Sequence, residues 1–171
     1  MKLKLFLCGL LFILSTQLVF SQAKLKVMQE PSGDFVYSVP SSWMVANIEG
    51  MKYQIARDIK KDSFAANINF FKENTKATFA QFFKIDMDDV RKNVRDYKEI
   101  SNTNFSTEGG LKGKRLVCTN TQFGNNFMQV YYFLEGRNGD KFIITGTSLI
   151  KSQKEYLPIF DLIAKSFKLT K

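Results

Sequence analysis

Apolar and polar positions alternate along most of this chain, and twice the alternation gives way to helical spacing. Phe35-Val36-Tyr37-Ser38-Val39 alternates and stops at Pro40, which predicts a first strand. Residues 51–59 predict a second. Phe64, Ala66, Ile68 and Phe70 then alternate with Ala65, Asn67, Asn69 and Phe71; the Phe/Ile side reads as core and the Asn67/Asn69 side as wet. After Thr78 the period changes: Phe79, Phe82, Phe83, Val90 and Val94 share one helical face, and Thr78 with Gln81 has the spacing of a capping box.

Further strands are predicted over residues 97–107, 114–122, 127–134 and 141–149. Gly109-Gly110 and Gly113 read as turns, and Asn138-Gly139 is the strongest hairpin signal in the chain. Both parities of 127–134 are apolar, as in a central strand covered on both faces. A second helix follows, with Ser152 and Glu155 spaced as a capping box and Tyr156, Ile159, Phe160, Ile163 and Phe167 as its stripe. Pro158 conflicts with that start: either the first turn is distorted or regular helix begins nearer Leu157. Strands outnumber helices and short turns join them. The pattern predicts an α+β fold, an antiparallel sheet of about six to seven strands with helices packed on its faces.

The first residues follow a different plan. Lys2 and Lys4 precede an apolar run over residues 5–14, and the chain turns small and polar toward Ala23. This is the layout of a secretory signal, and the run is too short to span a bilayer. Cleavage is expected after Ser21 or Ala23, leaving one domain over residues 22–171. Cys8 lacks the preceding small residue and longer apolar run of a lipidation site. The expectation is an exported protein, periplasmic or secreted, with no transmembrane helix after cleavage.

Charge and chemistry narrow the picture further. The chain has 25 basic and 16 acidic residues; without Lys2 and Lys4 the net charge falls from +9 to +7. Such a surface favours anionic partners, but the basic residues are scattered and form no nucleic-acid stripe. The chain has no histidine, which removes the commonest general base, the commonest metal ligand and the usual triads. Cys118 is the only cysteine outside the signal, so it reads as a buried thiol within a strand. No cofactor or metal is expected.

Among the acids, Asp88 and Asp89 read as a solvated helix face, and the spacing of a calcium loop is absent. Asp86 falls inside the apolar stripe. Either it is buried and paired, or the helix breaks there and Asp86 caps a new segment. Gly109-Gly110-Leu111-Lys112-Gly113-Lys114-Arg115 is a glycine-rich basic loop without the ending of a phosphate loop. Lys112, Lys114 and Arg115, joined by Arg137 and Lys141, are the candidate contact for an anionic partner.

Two short motifs carry a resemblance. Phe35-x-Tyr37-x-Val39-Pro40-x-x-Trp43 near the start and Ile163-Ala164-Lys165-Ser166-Phe167-Lys168 at the end resemble the PsbP-like superfamily. This group includes the extrinsic PsbP subunit of photosystem II, a Ran-binding import factor, the bacterial DcrB lipoproteins and secretion-effector chaperones. The resemblance spans roughly Asp34 to Lys168 in element order and implies an antiparallel sheet between helices. It lends no catalytic residue: members bind proteins or serve as accessory subunits, and the histidine-dependent metal site of PsbP has no counterpart here. Pro40 and Trp43 match the shared motif, and their physical roles read as structural, Pro40 ending the strand and Trp43 plugging the sheet edge. The reading is an exported, non-catalytic binding or accessory domain acting on a protein or envelope component. The alternatives are a carboxylate-dependent envelope hydrolase and a carrier of an apolar ligand.

Overall fold

A computed structural model of the chain describes residues 24–46, 53–56 and 64–170. The signal segment with both cleavage points and Cys8 lies outside the described residues. So does all of the span 51–59 except 53–56.

The strands are β1 (Leu25–Gln29), β2 (Phe35–Pro40), β3 (Met44–Ala46), β4 (Tyr53–Ala56), β5 (Asn67–Asn74), β6 (Lys98–Ser106), β7 (Lys112–Gln122), β8 (Asn125–Glu135), β9 (Asp140–Leu149) and β10 (Lys168–Leu169). The helices are α1 (Phe79–Asn93) and α2 (Gln153–Lys165). All pairings are antiparallel. They form two sheets where the sequence pattern suggested one: β3-β4-β5-β9-β8-β7-β6, and a small sheet β1-β2-β10. The first predicted strand, β2, belongs to the small sheet. Its inward residues Phe35, Tyr37 and Val39 are buried against the large one, with the Tyr37 and Phe70 rings stacked at 4.3 Å. β1 escaped the sequence reading because its Leu25 and Val27 face outward; β10, with two residues, is too short to show a period.

β8 is central, flanked by β9 and β7, and its two faces feed separate cores. Met128, Val130, Tyr132 and Leu134 pack with α2 residues Tyr156, Phe160 and Ile163 and with the small sheet. Tyr131 and Phe133, beside Leu116 and Cys118 of β7, pack with α1 residues Phe82 and Met87. The helices thus cover opposite faces of one sheet, as the two-sided apolar pattern of β8 requires.

α1 opens with a reciprocal capping box: Thr78 N–H donates to Gln81 Oε1 at 2.9 Å and Gln81 N–H to Thr78 Oγ1 at 3.3 Å. α2 opens differently. The Ser152 side chain makes no cap hydrogen bond; a 3-10 turn over Ile150–Ser152 leads into helix at Gln153, and Pro158 sits inside the helix. The delayed start near Leu157 is therefore corrected. Tyr156, buried on the stripe with Phe160 and Ile163, holds the first turn in place despite the donor that Pro158 lacks.

Two further expectations change. Asn67 is 7% exposed rather than wet, and its Nδ2 donates to the Ala65 carbonyl at 3.0 Å. It lies in register with Thr147 and, one strand further, Gln129, so a polar row runs across three strands of this face. Gly113 is not a turn residue. It lies in β7, where a Cβ would stand 1.8 Å from the Phe133 carbonyl oxygen, so the glycine serves a close strand approach.

Candidate functional site

The basic segment read as a loop is the start of a strand. Its turn ends at Leu111, whose N–H is held by Thr107 Oγ1 at 3.2 Å, and Lys112 to Arg115 run along β7. Strand alternation then splits the candidates. Lys112 and Lys114 line a groove of about 370 Å³ with Phe79, Asn104, Phe105 and Glu135. Lys114 Nζ donates to Asn104 Oδ1 at 2.8 Å, across the β6–β7 register. Lys112 is exposed. The groove therefore offers two ammonium groups, one of them braced, beside the aromatic ring of Phe79.

Arg115 does not join them. It pairs in register with Tyr132 on the opposite face and grips Asp161 of α2, Nε to Oδ1 at 2.6 Å and a terminal nitrogen to Oδ2 at 3.0 Å. Tyr132 donates its hydroxyl to the same Oδ1 at 2.7 Å. This fork holds α2 to the sheet and occupies the guanidinium. Lys141 is 4% exposed, with its ammonium 3.6 Å from Glu135 Oε1. A lysine so enclosed is no surface contact; it faces Glu135 across the β8–β9 pair. Arg137 is exposed in the β8–β9 turn. Of the five candidates, only Lys112 and Lys114 share a site, and Phe79, Asn104 and Glu135 complete it. Sequence spacing could not supply those three, because β6, α1 and the end of β8 meet β7 only in the folded sheet.

The remaining singled-out residues are placed as follows. Pro40 ends β2 and is buried. Trp43 is 1% exposed, with its ring 6.1 Å from Phe160 in an edge contact and 6.5 Å from Tyr156. Cys118 is buried, and burial, followed by the Glu99 charge, pushes its thiol up to about 12, which suppresses thiolate chemistry. Asp86 is half-buried on α1, which runs through it unbroken, so it caps nothing; nor does it form a hydrogen bond or ion pair with a described residue. Burial first, then the charges of Glu73 and Asp89, hold its carboxyl above the usual range. Among the described residues, no three acids or cysteines are grouped to hold a metal ion, and no helix is long and apolar enough to cross a membrane.

At the far end of β7 a feature appears that the sequence pattern did not flag. Gln122 pairs with Asn125, leaving Phe123-Gly124 as a two-residue hairpin tip, and Phe123 is 97% exposed.

No protein-family model matches the chain, and no curated protein matches it. Solved structures do. The fold is similar to cyanobacterial PsbP from Synechocystis, at 14% identity over 86% of this chain and 93% of that one, with a TM-score of 0.64. It is similar to LpqN, involved in cell envelope biogenesis of Mycobacterium tuberculosis, at 11% identity over 86% and 91%, with a TM-score of 0.67. A Pseudomonas aeruginosa protein of unknown function matches at 14% identity over 83% and 94%, with a TM-score of 0.56. The chain has a PsbP-like fold.

Proposed function

We propose that the protein is an exported, non-catalytic accessory domain of the cell envelope, and that it engages an acidic partner through the groove of Lys112 and Lys114. The observation that carries this reading is the shared fold with PsbP and LpqN over nine-tenths of their lengths, one of them a protein of envelope biogenesis. The layout of charged and aromatic groups supports it. Phe79 offers an apolar wall, while the two ammonium groups select negative charge and Glu135 sets a limit on where that charge sits. Secretory patterning over residues 1–23 supports the exported location.

Affinity capture from the organism's own envelope tests the reading. A partner should be retained at low salt and lost as salt rises, since exposed charges are screened within about 8 Å at physiological ionic strength. Lys112→Glu with Lys114→Glu should abolish capture without altering the fold. Capture that ignores both salt and charge reversal would refute the groove as the contact.

A further inference from the structure

The β7–β8 and β8–β9 turns each hold two successive residues at positive φ, with opposite chemistry. Phe123 and Gly124 have φ of +50° and +75°; Asn138 and Gly139 have +53° and +85°. Both pairs carry the positive-φ signature of the tightest hairpin turns, for which Asn-Gly is the favoured sequence. Asparagine enters the left-handed region at little cost, whereas a bulky aromatic is an outlier there. The chain therefore holds a phenylalanine in a strained position. Among the described residues nothing compensates: the ring is 97% exposed and stacks on no other aromatic. A strained, fully exposed ring is accounted for by something outside the molecule.

The surroundings identify what that is. Gly124, Asn125, Asn126, Leu149, Ile150 and Lys151 line a shallow depression at the foot of the tip, and Ile150 is 38% exposed. The neighbouring segments carry cations. Thr121 N–H donates to the Arg95 carbonyl at 3.1 Å, which sets the Arg95 backbone beside the hairpin; Lys98 pairs with Thr119, Lys151 lies in the 3-10 turn and Lys154 in the first turn of α2. Against these stand Asp96, 3.6 Å from Arg95, and Glu155; Glu99 is held by Arg91 at 3.2 Å. The balance is positive. The shape is convex, a two-residue tip rather than a flat patch. A rigid partner would need a matching pocket, whereas a headgroup layer opens around a single ring and places phosphates at the level of the lysines.

We propose that the Phe123-Gly124 tip, with Ile150 and Lys151 at its base, inserts into the headgroup layer of an anionic lipid surface. The tip lies about 36 Å from Lys112 along the strand direction, at the strand rise of about 3.3 Å per residue, so it is a separate surface from the groove and stands without it.

Vesicle flotation tests this with the protein purified from its own host, using equal parts phosphatidylcholine and phosphatidylglycerol against phosphatidylcholine alone. Wild type should float with the anionic vesicles and not with the neutral ones. Phe123→Asn, which installs the residue the sister turn already uses, should lower that partitioning tenfold or more while keeping the melting temperature at or above wild type. Phe123→Trp should float as wild type does, with indole emission shifted to the blue on vesicle addition. The proposal is overturned if wild type ignores anionic vesicles, if Phe123→Asn floats unchanged, or if an envelope protein rather than lipid is what Phe123→Asn loses.

Discussion

The two hairpin turns that close β8 differ in what they are tied to. The Asn138-Gly139 turn is built into the molecule. Thr75 N–H donates to the Gly139 carbonyl at 3.0 Å, Asn74 Nδ2 donates to the Asn138 carbonyl at 3.0 Å and to Asp140 at 2.8 Å, and Lys72 bridges Asp140 to Asp34 beside the small sheet. The Phe123-Gly124 turn is braced mainly within its own hairpin, through Asn125 Nδ2 to the Phe123 carbonyl at 3.3 Å and Thr121 Oγ1 to Asn126 at 3.0 Å, and its tie to another described segment is Thr121 N–H to the Arg95 carbonyl at the hairpin's base. The integrated turn uses the residue that fits its backbone. The projecting turn uses one that does not, and presents it to the surroundings. A positive-φ pair can thus serve as an internal fastening or as a contact tip, and the residue at its first position distinguishes the two.

Substitutions can break this contrast at several strengths. Trp43→Ala should cost about 3–5 kcal/mol, because the ring is fully buried between the sheet and α2 and serves both ends alike. Chemical denaturation should show one cooperative loss; unchanged stability would remove the common core from the comparison. Gly139→Ala should cost about 2–3 kcal/mol, since its Cβ would approach the Thr75 carbonyl oxygen to 2.9 Å at a φ that side chains already resist. Gly124→Ala meets no atom within 4 Å and should cost only about 1 kcal/mol, the backbone term alone. Equal losses at the two glycines would mean that the turns are not differently embedded. Phe123→Asn should stabilise by up to about 1 kcal/mol as the strain is relieved, read as a rise in melting temperature. Smallest of all, Lys112→Glu with Lys114→Glu should move stability by about 0.5 kcal/mol or less, as expected for exposed charges.

These features were unequally legible in the sequence. The period-two runs located β2, β5 and the last four strands of the large sheet, and the step to helical spacing after Thr78 located α1 with its capping box. Local chemistry determines such elements, so a single sequence suffices. The division into two sheets was not legible, because β2 alternates in the same way whichever sheet it joins. The groove was half legible. Lys112 and Lys114 stand out as basic, but strand alternation sends Arg115 to Asp161 on the other face, a partner distant in sequence, and Lys141 is enclosed beside Glu135 across the β8–β9 hairpin. Asp86 falls in the stripe but its partner is not legible, and none of the described residues pairs with it. Phe123-Gly124 gives no turn signal, because only Asn-Gly, Asp-Gly and their relatives announce a positive-φ turn, and phenylalanine there reads as one more strand residue.

The central claim is that the two ends of β7 meet different things outside the molecule, the groove an acidic partner and the tip a lipid surface. The direct measurement runs envelope capture and anionic-vesicle flotation side by side on wild type, on the Lys112→Glu/Lys114→Glu protein and on Phe123→Asn. The account predicts a crossed result: the double charge reversal loses the captured partner and still floats, and Phe123→Asn keeps the partner and no longer floats. Loss of both activities in either variant, or of neither in both, would contradict it.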